Sequence, residues 1–577
     1  MLGQEVRVVA VEPVGDEVAG DVLLTVQHGE PQIPRRAEGP AGGRWAGQDG
    51  VMTGRVRNPW GWGFADAVID GAAARAAAAE ARWLLGFGAE EPEQPVPAAA
   101  ARLAEPRLPL PPGRLAELCT RESTVRAGHA HGRSYLDVVR ALRGRYDHLP
   151  DVVAFPRYEA DVAELLAWAE LVGAAVVPYG GGTSVVGGVE PRVPDRFAGV
   201  LTVDLGRLDR VLEIDAVSRA ARIQAGASGP RLEEQLRPSG LTLRFYPQSF
   251  ELSTLGGWLA TRAGGHFATR LTHIDDLVES VRAITPAGQW QSRRLPGSGA
   301  GPSPDRMLLG SEGILGVITE AWVRVRPRPR FRASRAVRFS SFLAGADAVR
   351  AVAQSDLDPA NCRLLDPLEA AQAGSGDGRH AVLVLGFESA DHPVDGWLDI
   401  ALALCAAHGG RWDAAAASGS GDTAEGAWRS AFLQMPYVRD LLIRLGVLSD
   451  TFETAVTWDQ FPGFHAAVVG ATRAALGEPC RVSCRFSHVY PDGPAPYFTV
   501  LAPVTRGAEE ERWHDMKQAA SDAILAAGGT ITHHHAVGRD HRPWYDAQRP
   551  EPFAAALRAA KNAVDPAGRL NPGVLID

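Results

Sequence analysis

Cysteine is scarce in this chain. The 577 residues hold 5, and no two are spaced as CxxC. Cys119, Cys362, Cys405, Cys480 and Cys484 form an odd, scattered set, which excludes a disulfide framework as the basis of the fold. Cys480 and Cys484 stand four apart, and ordinary reduced cysteines explain that pair better than a metal site. Long hydrophobic runs are missing: none reaches the roughly 18 residues of a bilayer-crossing helix. Net positive charge is missing too. The formal charge is −9, which argues against a general nucleic-acid binder. Lysine is sparse beside arginine and alanine is abundant, which reads as genomic composition bias. Neither GxGxxG nor GxxxxGK[ST] occurs, and that lowers the usual nicotinamide and ATP readings. No internal repeat is visible. Met1–Val18 mixes Glu, Arg and Asp among valines, unlike a signal or transit peptide. A soluble, cytoplasmic protein is the expectation.

What is present is ample core material. Hydrophobic residues make up 45%, and the length implies two to four domains. Val8–Val11 and Val22–Val26 read as strands, Pro31–Gly54 as a Gly/Pro/Arg-rich stretch, Asp70–Gly86 as a helix and Pro92–Pro112 as a linker. An α/β pattern begins at Val152. It runs through a strand Val152–Phe155, a helix opened by Glu159–Asp161, and strands Ala175–Val177, Val200–Asp204 and Ala220–Gln224, with a helix Pro230–Leu236. Phe342–Ala353, Leu398–His408 and Glu509–Ala527 read as helices, Val382–Phe387 as a strand. Trp428–Leu442 reads as a helix with a break or kink at Pro436. Cys480–Ser487 alternates like a strand, with Tyr497–Val500 as its partner.

The most telling stretch follows the strand Ala175–Val177. Pro178, Tyr179, Gly180, Gly181, Gly182, Thr183 and Ser184 make a loop with almost no side-chain bulk. Its backbone can take positive φ and present several N–H groups, with two hydroxyls as added donors. A phosphate or pyrophosphate is the natural guest. A flexible surface turn explains a lone triple glycine about as well. Two further glycine clusters change the balance. One is Pro247–Gly265, with Pro247, Gln248, Ser249, Ser253, Thr254, Gly256, Gly257, Ala260, Thr261, Arg262 and Ala263. The other is Gly310–Glu320, with Glu312, Gly313, Gly316, Val317 and Ile318. Three such clusters beside strands or turns point to one large ligand touched from several loops.

These three segments resemble the flavin-contacting segments of the vanillyl-alcohol-oxidase type FAD-binding superfamily. Within it, the carboxy-terminal half is similar to the alkyl-dihydroxyacetonephosphate synthase (alkylglycerone-phosphate synthase) family. The matching pieces are Val438–Leu441, Ser449–Ala455 with Trp458-Asp459, Ser483–Arg485, Tyr490 with Asp492-Gly493, Tyr497-Phe498 and His533–Gly538. Asn58–Gly63 and Arg126–Gly132 match as well, so the resemblance runs from about residue 58 to the end. It implies an α+β fold: a two-subdomain FAD-binding domain under an antiparallel-sheet cap. The expected division is 1–110 as an N-terminal β/loop and helical extension, 111–330 as the FAD-binding domain, 331–535 as the cap and substrate domain, and 536–577 as a segment returning to the FAD domain.

The resemblance also implies the chemistry. FAD would be held non-covalently, since His129 and His131 lack the usual attachment context. The reaction would exchange the acyl group of acyl-dihydroxyacetone phosphate for a long-chain fatty alcohol, through a covalent adduct at flavin N5 without net redox. Tyr497 aligns with the family's acid/base tyrosine, although residue type alone makes it a packing aromatic. A phenol needs a cationic neighbour to act near neutrality, and the histidine run is one source. Extended, His533 and His535 would share a face and His534 would take the other. A metal site needs convergent ligands, so a polar active-site wall is the reading carried from the family. Arg439 aligns with the phosphate-binding arginine, with a salt bridge to Asp440 or Asp450 as the plainer fate. Arg363 aligns with a further activity-critical arginine. Leu441–Leu448 and Phe461–Phe464 are expected to flank a tunnel mouth, unless they are ordinary core. Peripheral membrane contact at the inner face and a homodimer are options. The ending Asn571–Ile576 is closer to FAD-linked 2-hydroxyacid dehydrogenases, and no peroxisomal targeting signal is seen. The alternative is therefore an FAD-linked oxidoreductase of the same fold.

Overall fold

A computed structural model describes residues 57–413 and 424–576, the side chains of 99 and 424–433 excepted. The expected strands Val8–Val11 and Val22–Val26 and the stretch Pro31–Gly54 lie outside the described residues. Three sheets carry the architecture. The first contains β1 (Cys119–Thr120), β2 (Val152–Ala154), β3 (Ala174–Tyr179) and β4 (Gly199–Asp204), in the order β1-β2-β4-β3. β2 and β3 both run parallel to β4. These strands are apolar runs buried on both faces, as parallel strands must be. The crossover helix Glu159–Leu171 starts where the Asp161 carboxylate accepts the Arg157 and Tyr158 amides, and acid at that end suits the helix dipole.

The second sheet is antiparallel. It comprises β5 (Val211–Asp215), β6 (Ala220–Gln224), β8 (Val278–Thr285), β9 (Gly288–Gln291) and β10 (Val317–Arg324), ordered β5-β6-β10-β8-β9. The short β7 (Leu241–Thr242) pairs instead with β11 (Arg326–Pro327). One hydrophobic cluster joins both sheets, with Val176, Leu201, Ile223, Trp258, Val317 and Leu570 among its members.

The third sheet is the cap. It holds β12 (Phe331–Phe339), β13 (Asn361–Leu365), β14 (Ala381–Ser389), β15 (Val447–Glu453), β16 (Arg481–Val489) and β17 (Pro494–Pro503), ordered β12-β14-β13-β16-β17-β15 and antiparallel throughout. Period-two alternation gives it two unlike faces. Phe452, Val482, Cys484, Phe486, Phe498 and Val500 enter the cap core under the helices. The alternate residues include Arg363, Thr451, Glu453, Ser483, Arg485, Tyr497 and Thr499, and five of these seven are buried polar or aromatic groups. That polar face is the one turned toward the first two sheets.

Several details depart from the sequence reading. The helix Ala424–Arg444 passes through Pro436 without ending there. It stops at Arg444, where Gly446 (φ +69°) turns the chain into β15, so Leu441–Leu448 runs from the helix through a turn into the strand. Phe461 and Phe464 are each 1% exposed and pack with Phe342, Phe486 and Phe498: they are core, not a tunnel mouth. The helix Tyr135–Leu142, held by a Ser134/Asp137 capping box, buries its apolar face in the cap core although it precedes the FAD-binding strands in sequence. Among the described residues no helix is long and apolar enough to cross a membrane.

Candidate active site

A cavity of about 380 Å³ lies between the FAD-binding loops and the polar face of the cap. Gly180–Ser184, Pro247, Gln248, Ser249, Ser253, Thr254, Gly257, Thr261 and Ala263 border it from one side. Arg363, Arg439, Arg485, Tyr497, His534 and His535 border it from the other. Pro178, Tyr179, Gly256, Ala260, Arg262, Gly313, Gly316, Val317 and Ile318 do not border it, nor do Glu312 and His533.

The glycines serve two distinct needs. A Cβ at Gly181 would sit 2.0 Å from the Leu252 carbonyl oxygen, and one at Gly180 2.4 Å from Thr254 Oγ1. The first two glycine clusters are thus packed back to back, and Gly181 is required by the protein's own packing rather than by ligand approach. Gly182 has φ +64°, a conformation that favours glycine. Gly257 differs. A Cβ there would meet only Thr254 Oγ1, at 3.5 Å, so nothing in the protein demands glycine. The space it leaves is on the cavity wall, as close approach of a planar or phosphorylated group requires. These residues fit FAD.

Several hydroxyls are already engaged. Ser253 Oγ donates to Ser249 O (2.8 Å) and accepts from Trp258 Nε1 (2.7 Å). Thr261 Oγ1 donates to Gly257 O (2.8 Å). Ser184 Oγ accepts the Gly188 amide (3.0 Å), which leaves its own proton to donate. Glu312 faces away from the cavity. Its carboxylate accepts the Val537 and Gly538 amides (2.9 and 2.8 Å), and burial raises its pKa to about 7. Its carbonyl accepts from Asn571 Nδ2 (2.7 Å). The third glycine cluster therefore fastens the carboxy-terminal segment. Its amides also reach back to the helix Leu255–Thr261, Glu312 N to Ala260 O (2.8 Å).

On the cap, cross-strand pairing aligns Arg485, Tyr497 and Glu453 in one row. The Arg485 guanidinium lies 3.8 Å above the Tyr497 ring, a cation–π stack. Tyr497 donates to Thr451 Oγ1 (3.0 Å). Burial raises its pKa, with Arg485 pulling the other way. Arg485 in turn is paired with the fully buried Glu369, which also accepts from Ser483 Oγ (2.6 Å). The cation beside the phenol is thus Arg485, not histidine. Burial drives the His534 and His535 pKa values down to about 3 and 4, and that of His533 well below normal.

The histidine run is not extended. Glu453, 0% exposed, accepts the amides of three consecutive residues: His533 (2.7 Å), His534 (3.1 Å) and His535 (2.8 Å), and also Thr532 Oγ1 (2.6 Å). The backbone curls around this carboxylate. His534 and His535 consequently both border the cavity. His533 turns behind them, its Nε2 2.7 Å from the Tyr490 hydroxyl. Adjacent side chains converge here, contrary to the extended picture: ring nitrogens of His488, His533 and His534 lie within 4.8 Å of one another. Hydrogen bonds engage them. His488 Nε2 donates to Gly265 O (3.0 Å) and His533 Nδ1 meets His534 Nδ1 (3.0 Å).

Arg439 has the plainer bond and the cavity position together. Nε and Nη2 reach Asp440 Oδ1 (3.2 and 2.9 Å), and Nη1 donates to Arg133 O (2.8 Å). Asp440 also accepts the Trp62 amide. With five N–H donors per guanidinium, Arg439 keeps two beyond these three bonds. Arg363, 5% exposed, donates to His266 O (3.0 Å); burial lowers its pKa to about 10, so it stays charged. Arg485, Glu369 and Glu453 were given no role by sequence reasoning. The signal was the alternation Arg481, Ser483, Arg485 against Val482, Cys484, Phe486, a buried strand with one polar face.

Comparison with known proteins agrees with this geometry. Residues 150–292 match the family profile described as FAD binding domain, and residues 328–575 match FAD linked oxidases, C-terminal domain. An alkyldihydroxyacetonephosphate synthase of Caenorhabditis elegans is 30% identical over 488 residues, covering 79% of this chain and 81% of that protein. The synthase of Dictyostelium discoideum is 29% identical over 487 residues, covering 79% and 78%. A solved alkyldihydroxyacetonephosphate synthase structure superposes with a TM-score of 0.70 at 25% identity, covering 84% of this chain and 88% of that one. The chain belongs to the alkyldihydroxyacetonephosphate synthase family.

Proposed function

We propose that this FAD enzyme makes an ether bond, exchanging the acyl group of acyl-dihydroxyacetone phosphate for a long-chain alcohol. The observation that carries the reading is the composition of one cavity. A buried tyrosine stacked under an arginine shares it with two further arginines and with two glycine-lined FAD loops. Bound FAD supplies the electrophile and electron sink of the exchange and ends each turnover oxidised. Arg439, with Arg363 nearby, binds the substrate phosphate; a guanidinium matches phosphate oxygens in a two-pronged way. Tyr497 exchanges the proton at the carbon beside the substrate carbonyl. It is protonated at rest, and the Arg485 charge over its ring lowers the cost of its anion. His534 and His535 supply polar, uncharged contacts in the same wall. The FAD is held non-covalently, because His129 is bonded through both nitrogens, to Val125 O (2.7 Å) and Asp204 (2.9 Å), and His131 does not border the cavity. Peripheral membrane contact belongs to the same reading: Leu84 and Leu85 border the cavity, and their neighbour Trp83 is 65% exposed. A homodimer is included and is checked by light scattering.

The test is to incubate the purified, FAD-loaded protein with palmitoyl-dihydroxyacetone phosphate and hexadecanol, with mass spectrometry of the lipid product. Ether product with release of palmitate is expected. No ether product, together with flavin bleaching by a 2-hydroxy acid, would replace this reading with the oxidoreductase one.

A further inference from the structure

The proposed exchange leaves a proton over. An ester R–CO–O–CH2– and an alcohol R′–OH give an ether R′–O–CH2– and a carboxylate R–COO⁻. The alcohol's hydroxyl proton is the remaining product, because a carboxylic acid with a pKa of about 4 is ionised at neutral pH. The cavity lies between the glycine loops and the cap, so this proton needs a way out.

We propose that His534, His533, Tyr490, Thr272 and His273 form a proton relay from the cavity to the protein surface, an inference that rests on the ether-synthase reading. The links are continuous. His534 Nδ1 is 3.0 Å from His533 Nδ1. His533 Nε2 is 2.7 Å from the Tyr490 hydroxyl. That hydroxyl is 2.9 Å from Thr272 Oγ1, which is 3.3 Å from His273 Nδ1. His534 borders the cavity, and His273 is partly exposed. Every member can both donate and accept a hydrogen bond.

One carbonyl sets the direction of the whole chain. His273 Nε2 is 3.0 Å from the His533 carbonyl oxygen. A carbonyl only accepts, so this nitrogen carries the proton and, in a neutral ring, Nδ1 does not. Thr272 must then donate to His273 Nδ1. Tyr490 must donate to Thr272, and His533 Nε2–H to Tyr490. His533 Nδ1 is left bare and accepts from His534 Nδ1–H. The last consequence is that His534 Nε2 is unprotonated, so the cavity histidine can accept a proton there. When it takes the alcohol's proton at Nε2, each member passes its own proton one place outward, and His273 gains one that it yields to water. Glu453 Oε2 lies 3.3 Å from His534 Nδ1, so a fixed negative charge steadies the transient imidazolium. Burial keeps His533 and His534 neutral at rest, as the assignment requires.

Tyr490→Phe tests the relay, since it keeps the ring and removes one of the two hydroxyls that join the histidines. In the FAD-loaded full chain, kcat for ether formation should fall by about 10²-fold, the low end for a positioned proton-transfer group, with KM and FAD content unchanged. The solvent deuterium isotope effect on kcat should rise, and added imidazole should restore part of the rate. Thr272→Val should behave alike. Independently of turnover, ¹⁵N spectra of histidine-labelled protein should show His534 protonated at Nδ1 and His533 and His273 at Nε2. Wild-type kcat and isotope effect in Tyr490→Phe would overturn the relay, as would the opposite tautomers. A wild-type protein that makes no ether sinks the ether-synthase reading instead, and the tautomers then decide whether the directed chain exists.

Discussion

Replacing Glu453 by Gln should loosen the active-site wall without touching a substrate-contacting group. The carboxylate holds four donors: the amides of His533, His534 and His535 and the Thr532 hydroxyl. Glutamine keeps one oxygen and turns an NH2 toward the rest. In one orientation the NH2 meets the His533 amide; in the other it meets the His535 amide and the Thr532 hydroxyl. One or two charge-assisted bonds are lost, each worth about 1.5–3 kcal/mol, so the destabilisation should be about 2–5 kcal/mol. Hydrogen exchange read by mass spectrometry over residues 530–538 should show the three histidine amides losing protection, and the urea midpoint should fall. The effect is also linked to pH. Glu453 has a folded pKa well below the ordinary 4.5. Its contribution is complete above about 4.5 and is lost as pH falls toward the folded value. The acid limb of stability should therefore flatten in Glu453→Gln. Unchanged protection of 533–535 together with an unchanged midpoint would refute the reasoning.

Gly257→Ala should fold normally yet lose FAD, because its Cβ meets only Thr254 Oγ1 inside the protein; Gly181→Ala should unfold at lower urea, and the flavin absorbance of the two purified variants separates the cases. Arg439→Ala should raise KM for the phosphorylated substrate by about 10- to 150-fold, equivalent to 1.5–3 kcal/mol, with FAD retained. Arg439→Lys should recover only part, as steady-state kinetics will show. Tyr497→Phe should lower turnover and substrate–solvent proton exchange by about 10²–10⁴-fold in a folded, yellow protein; near-normal exchange removes Tyr497 from the mechanism.

The sequence announced the site by its glycines and the fold by its resemblance. Gly180–Gly182 alone read equally well as a surface turn, and it was the two further glycine clusters that made them a ligand loop. The strands β2, β3 and β4 were legible as short apolar runs, and the helix Phe342–Ala353 by its periodicity. The histidine run was misread because local pattern assumes extended backbone. The curl comes from Glu453, about eighty positions away, and no local pattern reports such a partner. The stack of Arg485 on Tyr497 was hidden for the same reason: it depends on the register of β16 against β17. Phe461 and Phe464 show the converse limit. Apolar residues near a cavity look the same in sequence whether they line it or fill the core beside it.

The tie between β3 and the end of the chain sets the order in which the protein can be made. Val176 donates to Arg569 O (2.9 Å) and accepts from Asn571 N (2.8 Å), and Val176 and Leu570 form a parallel bridge. Ala174 and Arg569, also bonded, are 395 positions apart. At 5–20 residues per second, ribosomal synthesis of that interval takes about 20–80 s. During it the glycine-loop strand emerges, and the whole cap follows, before the edge of the first sheet is closed and Glu312 receives Val537 and Gly538. The first-made half of the protein is the last to be finished. Cofactor loading is thereby deferred until translation is nearly over, and a nascent chain stalled inside the cap should stay colourless.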